Sequence, residues 1–211
     1  MANTIAPFGF RSFGHRDGSA PTMGFERRFI ISSDTAQIFT GDPVANSSVA
    51  GSPYITLPTT GTVEVVGIFG GCEYYNSNVG RVVWAPYFPG NIGANATVGP
   101  VTAYVITDPE MQFIVQGSTS AVLGSSVVGW NIAYLSTSVG QGNTTTGISA
   151  ASLMSSAGTV GANSSFPFRI VDVYSNFAPP GVNGTDNTTA GAIMVVAPNN
   201  WDRKTLTGAT T

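Results

Sequence analysis

Short runs of β-branched and aromatic residues recur along this chain, and turns rich in glycine and proline separate them. The clearest runs are Thr62–Phe69, Val101–Thr107, Phe166–Tyr174 and Gly191–Ala197, whose composition favours β-strands. An α/β fold needs helices between its strands, and only residues 146–157 have a brief helical pattern. The sequence therefore predicts an all-β fold, either a jelly-roll-like sandwich or a Greek-key barrel.

Local signals add detail to this prediction. The pair Gly70-Gly71 indicates a bulge or tight bend inside a strand, and Pro86 indicates that the run from Gly80 to Phe88 is an edge strand. Asp108-Pro109-Glu110 predicts a hairpin turn between Val101–Thr107 and Met111–Gln116. Further strands are expected at 25–31, 72–76 and 127–135, and a turn is expected at Gly41-Asp42-Pro43.

The N-terminal part lacks any sustained period. Residues 1–24 contain Phe8, Phe10 and Phe13 among recurrent glycine and proline. Disordered tails are normally poor in aromatic residues, so this composition favours an extended segment that buries its phenylalanines on a neighbouring protein. We expect an extended arm and loop at 1–53, a β-domain at 54–198 and a polar C-terminal tail at 199–211.

The composition restricts the class of partner. Charged residues make up 9% of the chain, against about 25% in soluble domains. The resulting neutral, hydrogen-bonding surface suits a subunit that packs against neighbours. A net charge of −3 argues against a nucleic-acid partner. The sequence has no apolar run near the ~18 residues of a membrane span and no secretory signal, so we expect a soluble cytoplasmic product with no membrane partner.

Few residues suit catalysis or metal binding. The single cysteine, Cys72, excludes an internal disulfide and lies in an apolar context typical of a buried residue. His15, the one histidine, lies in the arm, where we expect nothing to hold it. Glu64 and Glu73 flank Gly70-Gly71 and form the best available acid pair for a glycosidase. Asp108 and Glu110 lack the spacing of an EF-hand. We therefore expect no enzyme, no cofactor and no metal.

Three aromatic residues close together allow two interpretations. Trp84, Tyr87 and Phe88 would suit a platform on which a sugar or a base stacks. Residues of this kind more often fill the core of a β-sandwich, and we favour that interpretation.

Several segments resemble a group of small virion-associated proteins of tailed phages. The segments are APFGFR…GHRDGS, IFTGDPV, GIFGGCEYYN, WAPYFPG and VTAYVITDPEMQFIVQ, and the resemblance spans roughly residues 6–135 and the last strand before Asn199. The group includes capsid cement and decoration subunits. The resemblance implies a jelly-roll or barrel core that clamps neighbouring major capsid proteins. It also implies a homo-oligomer, either a dimer or a trimer, in a virion assembled in the host cytoplasm. It implies no catalytic residue.

On this hypothesis the arm supplies the contacts with the capsid. Phenylalanine anchors and arginines that pair with acidic edges are common at interfaces. The expected partner-binding residues are Phe8, Phe10, Arg11, Phe13, Arg16, Arg27 and Arg28. The alternative is another virion part, namely a tail, fibre or adaptor component, with receptor or glycan binding as its role.

Overall fold

The computed structural model describes residues 3–20, 24–50, 53–61, 64–92, 99–118, 123–154, 159–174 and 189–204. The fold is all-β, as predicted, with sandwich-like sheets. Within the described residues the helical elements are two 3₁₀ turns, at Ser125–Val127 and Ser136–Ser138. The strands are β1 (Arg11–His15), β2 (Phe25–Ile30), β3 (Ile38–Phe39), β4 (Pro43–Asn46), β5 (Ile55–Thr56), β6 (Gly67–Asn76), β7 (Arg81–Ala85), β8 (Tyr87–Phe88), β9 (Val101–Ile106), β10 (Met111–Gln116), β11 (Asn131–Ile132), β12 (Gly142–Asn143), β13 (Ile148–Ser149), β14 (Val160–Gly161), β15 (Phe168–Val173) and β16 (Ile193–Pro198).

One sheet curls into a nearly closed barrel. Its order is β2-β9-β6-β4-β5, with β7 paired to the far half of β6. The Phe29 N–H donates to the Pro53 carbonyl at 3.1 Å, and Phe29 forms a parallel bridge with Tyr54, which brings β2 next to β5. Phe69, Cys72 and Val105 lie in the buried interior. The apolar side chains that alternate along these strands therefore find their core inside the barrel.

The second sheet is open and packs against the outside of the barrel. Its order is β1-β10-β16-β15-β11-β14. Ile68 and Ile106 from the barrel share a buried cluster with Phe113 and Phe168 from this open sheet. The described residues thus form two cores, one within the barrel and one between the barrel and the open sheet.

The predicted hairpin around Pro109 is wrong, although both of its strands exist. β9 pairs with β2 and β6 in the barrel, whereas β10 pairs with β1 and β16 in the open sheet. The Asp108 side chain accepts the Glu110 N–H at 2.9 Å, so a turn does form. It carries the chain from one sheet to the other, because each strand finds its partners far away in sequence.

The boundary predicted at residue 53 does not separate an arm from a domain. β1 to β4 all precede it, and they pair with β10, β9, β8 and β6, respectively. Farther toward the N-terminus, the Gln116 side chain accepts the Ala6 N–H at 2.9 Å and donates to the Thr4 carbonyl at 2.8 Å. The described N-terminal residues are therefore part of the folded body of the same chain.

The expected polar tail also begins inside the core. Trp201 is fully buried between Phe113 and Phe168, with ring centroids 5.8 and 5.9 Å away. The main chain on either side of it pairs with Val65. The part of the predicted tail at 205–211 lies outside the described residues.

The helix predicted at 146–157 does not form in its described part, which ends at residue 154. Ile148–Ser149 is a strand that pairs with Gly142–Asn143, and Gly147 has a φ of +72°. The Ser149 hydroxyl accepts the Ala151 N–H at 2.8 Å. Serine side chains compete in this way for the main-chain groups of a helix, and here they support an extended segment.

The other local expectations have mixed outcomes. The bulge at Gly70-Gly71 is confirmed by a register shift in β6, and β7 is an edge strand as Pro86 indicated. The expected strand at 127–135 shrinks to two residues. In β15 the side chains of Phe168 and Ile170 are buried, and a bulge before Asp172 turns Val173 inward as well.

Candidate interaction surfaces

Phe10 is not available to a partner, contrary to expectation. Its ring is 2% exposed and stacks on Phe168 at 4.4 Å between centroids. Its N–H donates to the Gly41 carbonyl at 2.9 Å. The sequence did not indicate this packing within the chain, because Phe168 lies far from Phe10 in the sequence.

Exposed Arg11 and Phe13 and half-buried Phe8 form a small patch that we call the β1 surface. The Arg11 guanidinium lies 5.1 Å from the centre of the Phe8 ring, within cation–π range. Phe13 is 49% exposed and packs edge-on against Tyr174, with centroids 5.7 Å apart. Phe13 faces outward as Arg11 does, two residues earlier in the strand, and it is the extra residue of a bulge in β1. Partner binding by these three residues stays a prediction.

The four predicted arginines have different environments. Arg28 is buried and forms ion pairs with Glu26 at 3.3 Å and with Asp202 at 3.6 Å, so its assignment to a partner is wrong. Arg16 is exposed and lies 3.7 Å from Glu110 of its own chain. Arg27 is exposed on the outside of the barrel, and Arg11 belongs to the β1 surface. Arg11, Arg16 and Arg27 remain accessible to a partner.

His15 is held in place, which the sequence did not indicate. Its Nδ1 lies 2.7 Å from Asp17 Oδ1 and its Nε2 lies 3.2 Å from Asp108 Oδ2. The hydrogen bond with Asp17 is the main reason that the pKa of His15 is raised. The pKa of Asp17 is lowered, chiefly by hydrogen bonds from Ser19. The cluster joins the end of β1 to the loop that follows β9.

The acid pairs do not form the sites weighed for them. Glu64 lines a cleft of about 200 Å³ with Ala45 and Thr56, whereas Glu73 lies opposite Trp84 on the hairpin of β6 and β7. Glu64 lies before β6, and the six residue steps from Gly67 to Glu73 along this strand span about 20 Å. The two carboxyl groups are therefore too far apart for a glycosidase pair. The Asp108 carboxylate contacts His15, and the Glu110 carboxylate contacts Arg16. In the described ranges, no three His, Cys, Asp or Glu side chains are grouped as metal ligands.

The buried acidic and thiol groups belong to the core. Asp42 accepts hydrogen bonds from the Phe39 N–H at 2.8 Å and from the Ser149 hydroxyl at 2.6 Å. Burial raises the pKa of Asp42 to about 7. Cys72 is buried as expected, and burial raises its pKa to about 12, which keeps the thiol protonated and unreactive.

A second exposed patch covers the free part of the barrel, and we call it the aromatic surface. Its rings are Phe25, Tyr104 and Trp84, of which Trp84 is 60% and Phe25 is 45% exposed. Phe25 meets Tyr104 edge-on at 6.4 Å. The Phe25 ring lies over Gly70, where a Cβ atom would collide with it. The Trp84 ring lies over Gly71, where a Cβ atom would lie 3.0 Å from Trp84 Cζ2. Side-chain-free backbone at the bulge thus gives the rings a flat support.

The aromatic surface differs from the platform weighed from sequence. Phe88 is fully buried and Tyr87 stacks on Phe39 at 5.2 Å, so these two belong to the fold, as we favoured. Of the three residues of that platform, only Trp84 is exposed. The other rings of the aromatic surface are Phe25 from β2 and Tyr104 from β9. Burial and the hydrogen bond to Glu73 raise the pKa of Tyr104. The pairing of β2 with β9 could not be read from local sequence, whereas the two glycines in β6 were a usable signal.

Comparison with protein-family models, with curated proteins and with solved structures finds no match to this chain. No helix among the described residues is long and apolar enough to cross a membrane.

Proposed function

We propose that this chain is a structural subunit of a tailed-phage virion, specifically a capsid cement or decoration subunit that binds neighbouring major capsid proteins. One observation carries the proposal: large aromatic side chains are exposed on the aromatic surface of a chain with only 9% charged residues. Exposed apolar patches mark interaction sites, and a chain with so few charges has little electrostatic protection against association. The sequence resemblance points to the same class of protein.

Two patches on different sheets suit a subunit that joins two neighbours. The β1 surface lies on the open sheet, and the aromatic surface lies on the barrel. Each combines aromatic rings with an exposed arginine, Arg11 in the first and Arg27 beside the second. Aromatic residues and arginine are enriched among the residues that dominate interface energies. In this proposal the neighbour-binding residues are Phe8, Arg11 and Phe13, with Phe25, Arg27 and Tyr104 at the second contact.

The test is reconstitution on particles. Particles grown without the gene for this protein are mixed with purified protein, and sedimentation measures how many copies bind per major capsid protein. We expect saturation at a fixed ratio, with a loss of binding of at least about tenfold for Phe25→Ala with Tyr104→Ala, since each buried anchor contributes above about 1 kcal/mol. Phe13→Ala should weaken binding in the same direction. Val49→Ala, at an exposed site outside both surfaces, is the control.

Two results would overturn the proposal. One is a failure of the wild-type protein to bind particles that lack it. The other is saturation at only a few copies confined to the tail, which would favour the alternative of a tail, fibre or adaptor component.

The alternative has one observation of its own. A cleft of about 350 Å³ beside the hairpin of β6 and β7 is lined by aromatic and amide side chains, including Tyr74, Tyr75, Asn76 and Asn91. Aromatic faces with nearby amides are suited to binding a sugar. A glycan-array screen with wild-type protein and Tyr75→Ala tests this role, and it fails if no glycan is retained.

A further inference from the structure

Strand β7 has one edge that pairs with no strand among the described residues. It pairs with β6 on one side, and in the part of the chain that the structure describes no strand pairs with its other side. Val82 and Trp84 on this strand are 64% and 60% exposed. An open strand edge presents N–H and C=O groups that are complementary to the edge of another strand.

Within its five residues the β7 edge lacks the usual protection against pairing, and Pro86 lies just beyond its end. Residues 81–85 contain no proline or lysine and carry one charge, Arg81, at the start. Other edges are interrupted or short: β1 has a bulge between Ser12 and Gly14, and β14 has only two residues. Proteins commonly block long edges with charges, prolines or bulges, so an unblocked apolar edge is typical of an interface.

We propose that β7 pairs in antiparallel fashion with β7 of a second copy of this chain, about a two-fold axis at Val83. The register follows from two conditions. The exposed side chains of Val82 and Trp84 from both copies must lie on the same face of the joined sheet, and all five residues of each β7 strand must be paired. Placing Val83 opposite Val83 of the other copy meets both conditions, because Val82 then lies opposite Trp84 and Arg81 lies opposite Ala85. A shift by two residues either way leaves strand ends unpaired.

The charges permit this arrangement. The two Arg81 side chains lie at opposite ends of the interface, so no like charges face each other across it. The net charge of −3 on each copy adds little long-range repulsion. Pairs of an aromatic and a β-branched residue across strands are favourable, and this register provides two, Val82 with Trp84 and its symmetry mate. The dimer joins the two barrels through one continuous sheet, and this inference does not depend on the virion proposal.

The test uses complementary charges in the full chain. Sedimentation velocity should give a concentration-dependent dimer for the wild type. It should give monomers for Val82→Lys with Trp84→Lys and for Val82→Glu with Trp84→Glu, because like charges then face each other across the interface. An equimolar mixture of these two variants should recover dimers, since opposite charges then face each other at both positions. Val79→Lys, in the exposed turn of the same hairpin, is the matched control and should dimerise like the wild type.

A second measurement checks the register independently of charge. Val83→Cys should form a disulfide-linked dimer on mild oxidation, while Val79→Cys should not, and native Cys72 is buried. Wild-type protein that stays monomeric at millimolar concentration would overturn the proposal. So would dimers that persist in both charge variants. Phe25→Ala with Tyr104→Ala should still dimerise, so failure of the virion proposal can be distinguished from failure of this one.

Discussion

The Ser149 hydroxyl donates a hydrogen bond to the Asp42 carboxylate, with Oγ 2.6 Å from Oδ1, at a site where both side chains are buried. The same carboxylate accepts N–H groups of Phe39 at 2.8 Å and Gly140 at 3.3 Å. This one side chain therefore ties the turn before β4 to β13 and to the loop before β12.

Asp42 should make the protein less stable as the pH rises. Burial raises its folded pKa from 3.8 to about 7, so the folded state favours the neutral acid. The contribution of Asp42 to the free energy of unfolding is greatest below pH 3.8, where the side chain is neutral in both states. It falls as the pH rises toward 7, by about 4 kcal/mol for a pKa shift of this size. Asp42→Asn keeps an oxygen acceptor and should remove this part of the pH dependence. Urea denaturation of both proteins between about pH 4 and pH 8 measures it. Equal slopes for the two proteins would contradict the prediction.

The lone histidine gives a second pH prediction. The pKa of His15 should exceed 6.5, because Asp17 and Asp108 favour the imidazolium. Since its folded pKa is raised, His15 stabilises the fold below pH 6.5, and that contribution is lost as the pH rises through the folded pKa. An NMR titration of the single imidazole measures this directly. Asp17→Asn should lower the pKa more than Asp108→Asn, and no change in either variant would show that the cluster is not formed.

Phe10 and Phe13 should differ sharply in their effect on stability. Phe10→Ala removes a ring buried against Phe168 and should lower the free energy of unfolding by about 3–5 kcal/mol. Phe13→Ala, at a residue 49% exposed, should cost much less, within about 1 kcal/mol. Denaturant titration of the two variants compares them. Similar costs would mean that Phe10 does not lie in the core. Deleting residues 1–24 should likewise unfold the protein, because it removes β1 and Phe10.

Trp201 should be essential to the fold although it lies in a stretch that reads as a tail. Trp201→Ala should cost about 3–5 kcal/mol, since it leaves a large cavity beside Phe113 and Phe168. Trp130→Ala, at a tryptophan 51% exposed, is the matched control and should stay within about 1 kcal/mol. Thermal denaturation followed by circular dichroism distinguishes them. A stable Trp201→Ala protein would contradict the placement of this ring.

The strands were predictable from sequence because their signal is local. β-Branched runs bounded by glycine and proline predicted β2, β6, β9, β10 and β16, and the Gly70-Gly71 pair predicted the bulge. Their pairing was not predictable. Asp108-Pro109-Glu110 has the residues of a hairpin turn, yet the strands on either side join different sheets, because pairing is decided by partners distant in sequence.

The candidate surfaces show the same limit. Phe8, Phe10 and Phe13 look alike in the sequence, and only the structure distinguishes buried Phe10, stacked on Phe168, from half-buried Phe8 and exposed Phe13. Phe25 and Trp84 belong to strands with different partners, so nothing local places them on one surface. Arg28 looked like an exposed, partner-binding residue in the sequence but is buried, because its ion partner Asp202 lies near the other end of the chain.

The order of the strands has a consequence for synthesis of the protein. Every barrel strand that the structure describes lies between Phe25 and Ile106, so the barrel can fold while the rest of the chain is still being translated. β1 is made first, yet its partner β10 begins only at Met111, about 5–20 s later at typical elongation rates. Phe10 waits longer still, because its stacking partner Phe168 is made about 8–30 s after it at the same rates. Chaperones that bind emerging apolar segments are therefore expected to contact residues near Phe10 until Phe168 has been made.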